Sequence, residues 1–476
     1  MSQLQLSKAG LGATTSFMDT KFSSAVGLDG TAPVENVLFD LGEPMAPPES
    51  AASGGTPRLR YANREQAEMR FCALDSLIAA DHEVRQVWAY VAGLDLSEVL
   101  AKIKAVEDGA GASATDPRIL FSLWLYATLR KVGSARELDR RCREDIAFQW
   151  LCGGVTLNYH TLADFRTAHG AVLDKLLTHS VAVLLEQELV TMDRVAEDGM
   201  RVRASAGASS FRRGPRLQEF LEEAEQQVEA LKKELEEDPK AGTRRQRAAR
   251  QRAAEDREKR VRKALEQLPE VEAAKQAKDK DKARVSTTDA EARVMKMGDG
   301  GFRPAFNVLF ATDTQTQIIV GIEVSSSGGD QGKLAPMVAQ IDERYDEKPK
   351  EMLVDGGFTK KEDIETVGQG GTTVYAPVPT PRNPERDPHK PLENDTPKVA
   401  EWRERMATPE AKAIYKERAS TAECVNAQAR NRGLQQFTVR GRANAKAVVL
   451  WYVLAHNMLR IAALRAQRDK EAAQAI

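Results

Sequence analysis

Residues 189–207 read LVTMDRVAEDGMRVRASAG, and the fold turns on this run. It mixes β-branched residues with a DG turn, so a strand is expected around 192–204. Upstream, from about 60 to 190, the rhythm is helical. DPRILFSLWLYATLRKV, 116–132, reads as an amphipathic or buried helix that starts at a proline. Ser134 with Glu137 reads as a capping box opening the next helix, and Thr161 with Asp164 as the same device. Short helices joined by tight turns suit either a DNA-reading module or a bundle that merely packs. Residues 1–56, rich in Gly, Ser, Ala and Pro, read as a disordered tail.

Downstream, a long charged interruption begins. Leu217, Leu221, Ala224, Val228, Leu231 and Leu235 step by four and three, the spacing of a coiled-coil seam. DPKAG (238–242) breaks it, and a second charged helix is expected to end near 268, before Pro269. A weaker seam runs through Val261, Ala264, Leu265 and Leu268. The pair reads as an antiparallel helical hairpin inserted into another domain. Strands resume at FNVLFATD (306–313) and QTQIIVGIEVS (315–325). A helix at 332–346, the strand EMLVD (351–355), a helical KKEDIETV and the strand TTVYAPV (372–378) follow. Helices are expected over 397–413, 414–431 and 443–466. Three antiparallel strands followed by alternating helices and strands indicate an α/β fold, a mixed sheet flanked by helices.

The 476 residues can bury more than one core. Apolar content of 42% and charged content of 29% fit a globular chain. No run reaches the ~20 apolar residues of a membrane helix, and MSQLQLSKAGLG has no secretory pattern. Cys72, Cys142, Cys152 and Cys424 are scattered without a CxxC pair, which disfavours disulfides or zinc and points to a reducing cytoplasm. The net charge of −1 hides local bias. Residues 243–263 are strongly basic and 217–238 acidic, and nucleic-acid affinity follows such patches rather than the sum.

In this sheet the first strand and the strand after the first crossover lie side by side and parallel. Asp198 sits in the first and Asp355 at the C-terminal end of the second, where open α/β sheets place ligands. Two such carboxylates, with a third from a packing helix, suit a pair of divalent cations and phosphodiester cleavage. The helix around 415–430 reads Tyr415-x2-Arg418-x4-Glu423-x6-Arg430. At about 100° per residue, Glu423 and Arg430 lie within ~20° of each other, Tyr415 ~80° from Glu423 and Arg418 ~140° away. A charged pair on a solvated helix face would give the same pattern.

From about 60 to 465 the chain resembles the DDE transposases of bacterial insertion sequences. The resemblance is carried by ADHEVRQVWAYV (80–91), GSARELDRRCREDIAFQWLCGG (133–154), NYHTLADFR (158–166), VAEDGMRVRASAGASSFRR (195–213), TTDAEARVMKMGDGGFRPAFNVLFATD (287–313), MLVDGGF (352–358), YKERASTAECVNAQARNRGLQQFTVRG (415–441) and VLAHNMLRI (453–461). It implies an RNase H-like catalytic domain at 191–213 and 284–466, an N-terminal helical DNA-binding domain at 57–190, the insertion at 214–283 and a C-terminal tail at 467–476. It makes Asp198, Asp355 and Glu423 the catalytic and metal-binding acids, with Mg2+ as cofactor and Mn2+ as substitute. The family's tyrosine-arginine-glutamate-lysine signature falls on Tyr415, Arg418, Glu423 and Arg430, with arginine in place of the usual lysine. CVNAQ (424–428) stands where the family often has an apolar-Phe-Gly run.

Tyr415, Arg418 and Arg430 are the expected DNA contacts, and Arg201, Arg203, Arg212 and Arg213 candidates for lining the DNA channel. Asp313 is expected to close a turn and His456 to be a buried, hydrogen-bonded residue. The expected partners are double-stranded DNA, both the transposon's terminal inverted repeats and the target, and a second copy of the chain, forming a homodimer on DNA to which the hairpin offers a surface. No membrane partner is expected, and the expected location is a bacterial cytoplasm, at the nucleoid. Two rival readings share these residues: a nuclease that cuts without joining, and a non-catalytic DNA-binding protein derived from a transposase.

Overall fold

In the computed structural model, which describes residues 65, 71–105, 113–237 and 243–474, the 189–207 run forms strand β1, Arg194–Arg203. The chain divides into two units, Met1–Arg70 and Phe71–Ile476, and the elements below belong to the second. The expected tail at 1–56 and the DPKAG break at 238–242 lie outside the described residues. Asp198 and Gly199 make no turn, because both continue the strand. A glycine is needed there for space: a Cβ at 199 would come within 2.8 Å of Asp330 Oδ1 and 2.9 Å of Asn307 Oδ1.

Among the described residues, seven α-helices precede β1: α1 Glu83–Ala92, α2 Ser97–Leu100, α3 Pro117–Leu129, α4 Ala135–Glu144, α5 Ile146–Cys152, α6 Tyr159–Ala168 and α7 Gly170–Glu186. Helix α3 starts at Pro117 after an Asp116 cap and is buried along nearly its whole length. Ser134 caps α4, but Glu137 turns to Arg140 and Arg141 instead of closing a box. Thr161 is no cap. Asn158 is, accepting from His160 N and Thr161 N, because Tyr159 already belongs to α6.

The later strands are β2 Phe211–Arg212, β3 Val285–Ser286, β4 Arg293–Lys296, β5 Phe302–Asp313, β6 Ile319–Ser325, β7 Glu351–Val354 and β8 Thr373–Tyr375. β2 and β3 form a small separate ribbon. The main sheet runs β4-β5-β1-β7-β8, with β6 also on β5. β5 is antiparallel to β1, β4 and β6, whereas β1, β7 and β8 are parallel neighbours. This is the RNase H-like mixed sheet.

Between β2 and β3 the insertion forms α8, Gly214–Glu237, and α9, Arg244–Ala273. Helix α9 does not stop at Pro269 but carries it inside, since Val271 beyond it still packs with Leu217, Ala264 and Val285. The seam closes within the hairpin, Leu217, Ala224 and Val228 being buried opposite Ala254, Val261 and Ala264; the side chain of Leu235 lies outside the described residues. None of the exposed large apolar side chains among the described residues lies in α8 or α9.

Helix α10, Leu334–Tyr345, leads into β7, and α11, Lys361–Gln369, into β8. Then come α12 Pro397–Ala407, α13 Pro409–Arg418, a π turn Ala419–Glu423, α14 Cys424–Asn431 and α15 Arg442–Gln474. The break falls at Thr408, not at 413, because extended Thr408 caps Ala411 N and Pro409 starts the next helix. Residues 467–474, expected as tail, continue α15.

Helix α15 is long and apolar enough by composition to cross a membrane, yet 61% of its apolar window is buried. It joins the N-terminal helices to the sheet in one continuous core. Trp451 Nε1 donates to Arg166 O, and His456 Nε2 lies 2.7 Å from Gln317 O. Buried Asn457 accepts from Ile319 N at 2.9 Å and donates to Ile319 O at 2.8 Å, pairing with β6 as a strand would. Burial holds the His456 pKa down, to about 4, so the ring is neutral and its Nδ1 faces Arg432 Nη1.

Asn457→Leu should cost about 2–4 kcal/mol in chemical denaturation, because it leaves the two Ile319 backbone groups unpaired. The unfolded chain binds a proton at His456 more readily than the folded one, so stability should fall as pH drops from about 6.5 to about 4. His456→Gln should flatten the stability curve over that interval.

Candidate active site

The register of β1 against β7 pairs Arg194 with Glu351 and Glu197 with Val354. One step further along, Asp198 and Asp355 stand level on adjacent parallel strands, whose backbones run about 4.8 Å apart. β7 ends at Val354, and Asp355 begins the short turn Gly356–Phe358, accepting from Gly357 N at 2.7 Å. Asp198 alternates to the face covered by α14, where Asn426 Nδ2 donates to its Oδ2 at 3.1 Å. Arg194, at the start of β1, bonds Glu351 on β7 and Glu417 on α13, which fastens the helix to the strand pair.

Arg418 closes α13 and reaches both remaining acids. Its Nη1 lies 3.5 Å from Asp198 Oδ2 and its Nη2 donates to Glu423 Oε1 at 2.9 Å. A regular helix would hold Arg418 and Glu423 about 140° apart. The turn Ala419–Glu423 is a π turn, which closes over five residues instead of four. The extra residue is absorbed there, and Arg418 and Glu423 share one face. The wide angular separation expected from the sequence is therefore corrected by the backbone. Tyr415 lies beneath, its ring 5.8 Å from the Arg418 guanidinium carbon.

Electrostatics follow from this crowding. Burial pushes the Asp198 pKa up, Arg418 and the Gly199 N–H oppose it, and Asp355 and Asp330 add repulsion. Burial alone would pull Arg418 down, yet Tyr415, Asp198 and Glu423 together hold it above its ordinary value. Burial likewise raises the Tyr415 phenol.

Residues 72–168 match the family described as Transposase domain (DUF772), and residues 389–462 match the Transposase DDE domain. The chain belongs to the DDE transposases of insertion-sequence type. Neither curated proteins nor solved structures give a match to it. The first matched segment of this transposase spans α1 to α6, and the second holds Tyr415, Arg418, Glu423 and Arg430. Asp198 and Asp355 lie in neither, and Asp198 is joined to the second segment through Asn426 and Arg418.

DDE transposase domains generally use a divalent metal. Around Asp198 the transposase offers oxygen donors, a surplus of negative charge, and a buried Asn426 Oδ1 without a partner, all of which suit a hard cation. Among the described residues no three His, Cys, Asp or Glu side chains are grouped to hold one ion as they stand. The Glu423 carboxylate is instead bonded to the Arg418 guanidinium.

The other expected contacts are scattered. Arg430 is exposed on α14 without an ion-pair partner among the described residues, seven residues past Glu423. Arg201 points to the face of β1 opposite Asp198, bonded to Asp330 Oδ2 and Gly328 O, and Asp330 in turn adds repulsion at Asp198. Arg203 is exposed at the end of β1 and Arg213 beside the hairpin. Arg212 stacks 5.7 Å from the Phe220 ring. Asp313 closes its turn through Thr316 N and Oγ1.

Sequence reasoning missed Asn426, 228 residues from the aspartate it bonds, and missed Glu197. Glu197 is fully buried beneath β1 with both carboxyl oxygens unpaired. Burial first, then Asp330, Asp198 and Asp363, push its pKa far up. Strand alternation could have flagged Glu197, since the residue beside an outward aspartate must point the other way.

Deleting Ser420 should turn the π turn into regular helix and keep Arg418 and Glu423 together at i,i+4. Thermal denaturation should then show a Tm within a few degrees of the parent, whereas deleting Gln428 inside α14 should lower it by more. Equal losses would contradict the register role of the π turn.

Proposed function

We propose that this transposase cuts DNA at transposon ends and joins the freed end to target DNA, with Asp198, Asp355 and Glu423 as its acids. The reading is supported above all by one arrangement: two aspartates level on parallel strands, and a glutamate tied to the first of them through Arg418. Asp198, Asp355 and Glu423 would hold Mg2+, or Mn2+ in its place, which when bound neutralises phosphate charge and favours deprotonation of the attacking group.

The side chains of the protein set up the rest. Water attacks a phosphodiester at the transposon end, and the leaving group is a 3′-OH. That hydroxyl then attacks a target phosphodiester, so one P–O bond forms as another breaks. Arg418 releases Glu423 and turns its fork to the phosphate, which binds such a donor pair bidentately. Tyr415 backs the guanidinium, Arg430 takes a neighbouring phosphate on the exposed face of α14, and Asn426 keeps Asp198 aimed. Double-stranded DNA is the partner, and two copies hold the two ends.

Asp198→Asn, Asp355→Asn and Glu423→Gln should each lower cleavage of end-bearing duplex by about 10²–10³-fold or more. Asp198→Asn should keep or raise Tm, because it removes a buried repulsive charge. Cleavage by Asp198→Asn at the parent rate would overturn the assignment. A strand-transfer assay with a pre-cut donor end separates a joining enzyme from one that only cuts.

A further inference from the structure

Arg166, the last residue of the NYHTLADFR run, is buried at 7% exposure and has no carboxylate partner among the described residues. Its Nη1 donates to Gly133 O and, at 3.0 Å, to Thr438 Oγ1. Its guanidinium carbon sits 4.9 Å from the Trp124 ring. Its Nε is buried and unpaired. Burial pulls its pKa down, and the group that supports its charge is the Tyr452 phenol, not an acid. A buried cation without a counter-charge is costly, and proteins normally pair it or present it to an anion.

Arg166 lines a cavity of about 40 Å³ together with Trp124, Gly133, Gln436, Thr438 and Tyr452. Gly133, Gln436 and Thr438 are exposed at its rim. The space is too small for a nucleobase, yet it admits an oxygen or two of a larger group held at the mouth. Both matched transposase segments build it: Trp124 and Arg166 belong to the first, and Gln436, Thr438 and Tyr452 to the second. Gln436 also pairs with Arg203 at the end of β1. Asp198 is five residues back along that strand, so the cavity lies roughly 17 Å beyond the acids.

We propose that this cavity is a phosphate site, in which Arg166 takes one backbone phosphate of the bound duplex several base pairs from the cut. The inference rests on DNA being the substrate. Arginine is suited to the task because its planar fork can keep two donors on the protein and offer the others to phosphate. The cost of burying the unpaired charge is then recovered when DNA binds. Free inorganic phosphate carries the same chemistry and is the competing source.

The test uses full-length protein, a fluorescein-labelled 30-bp duplex and anisotropy over a KCl series. Gln436→Glu puts a negative charge at the mouth, while Gln435→Glu puts the same charge on the neighbouring exposed residue, which does not line the cavity. Gln436→Glu should weaken binding about tenfold and cut the salt slope by about one, the share of one phosphate. Gln435→Glu should change both far less. Arg166→Gln, where it folds, should match Gln436→Glu. Equal effects of the two glutamine variants overturn the site while leaving DNA binding intact. So does a Tm rise with inorganic phosphate while the duplex salt slope is unchanged in Gln436→Glu, because the site then takes free phosphate. A parent protein that fails to bind duplex would sink the transposase function itself.

Discussion

Everything at the site hangs on the register between β1 and β7. With Glu197 opposite Val354, the two aspartates stand level and Asp198 points toward α14. Side chains alternate along a strand, so a slip of one residue would exchange Asp198 for Glu197. Glu197 lies enclosed beneath the sheet, where burial disfavours its charged form. The slip would turn Asp198 away from Asn426 and Arg418 and into the enclosed side of the sheet where Glu197 now lies. Arg194, bonded to both Glu351 and Glu417, pins the same register from the strand's beginning.

The second constraint is the path of the helix that crosses this strand pair. Thr421 and Ala422 are buried against the sheet, as are Val425 and Asn426 one turn later. Keeping both sets buried while Arg418 and Glu423 share a face requires one residue more than a regular helix holds, and the π turn supplies it. Hydrogen-bond geometry is poorer in such a turn, so tertiary packing and the Arg418 ion pairs must stabilise it. Arg418 therefore couples the electrostatics of Asp198 to that of Glu423.

Much of this was legible in the sequence. The period-2 and period-3.6 patterns located β1, β5, β6, β7, α3, α10 and the hairpin, and parallel crossover logic placed Asp198 beside Asp355. Short elements escaped: β2 and β3 have two residues each, and β4 is too brief to show alternation. Local rules failed where a stronger neighbour won, as when Asn158 capped ahead of Thr161 and packing around Val271 carried α9 past Pro269. The π turn has no local signature, since it arises from contacts to a strand more than two hundred residues away. Asn426 and Arg166 were invisible as partners for the same reason. Their roles depend on which distant groups share their burial.

Crystals of the full chain soaked in MnCl2, with anomalous scattering recorded at the manganese edge, test the central arrangement most directly. The expected result is a peak between the carboxyl groups of Asp198 and Asp355, with Arg418 turned away and Glu423 free to approach. Manganese bound elsewhere, with Asp198 still held by Asn426 and Arg418, would contradict the account.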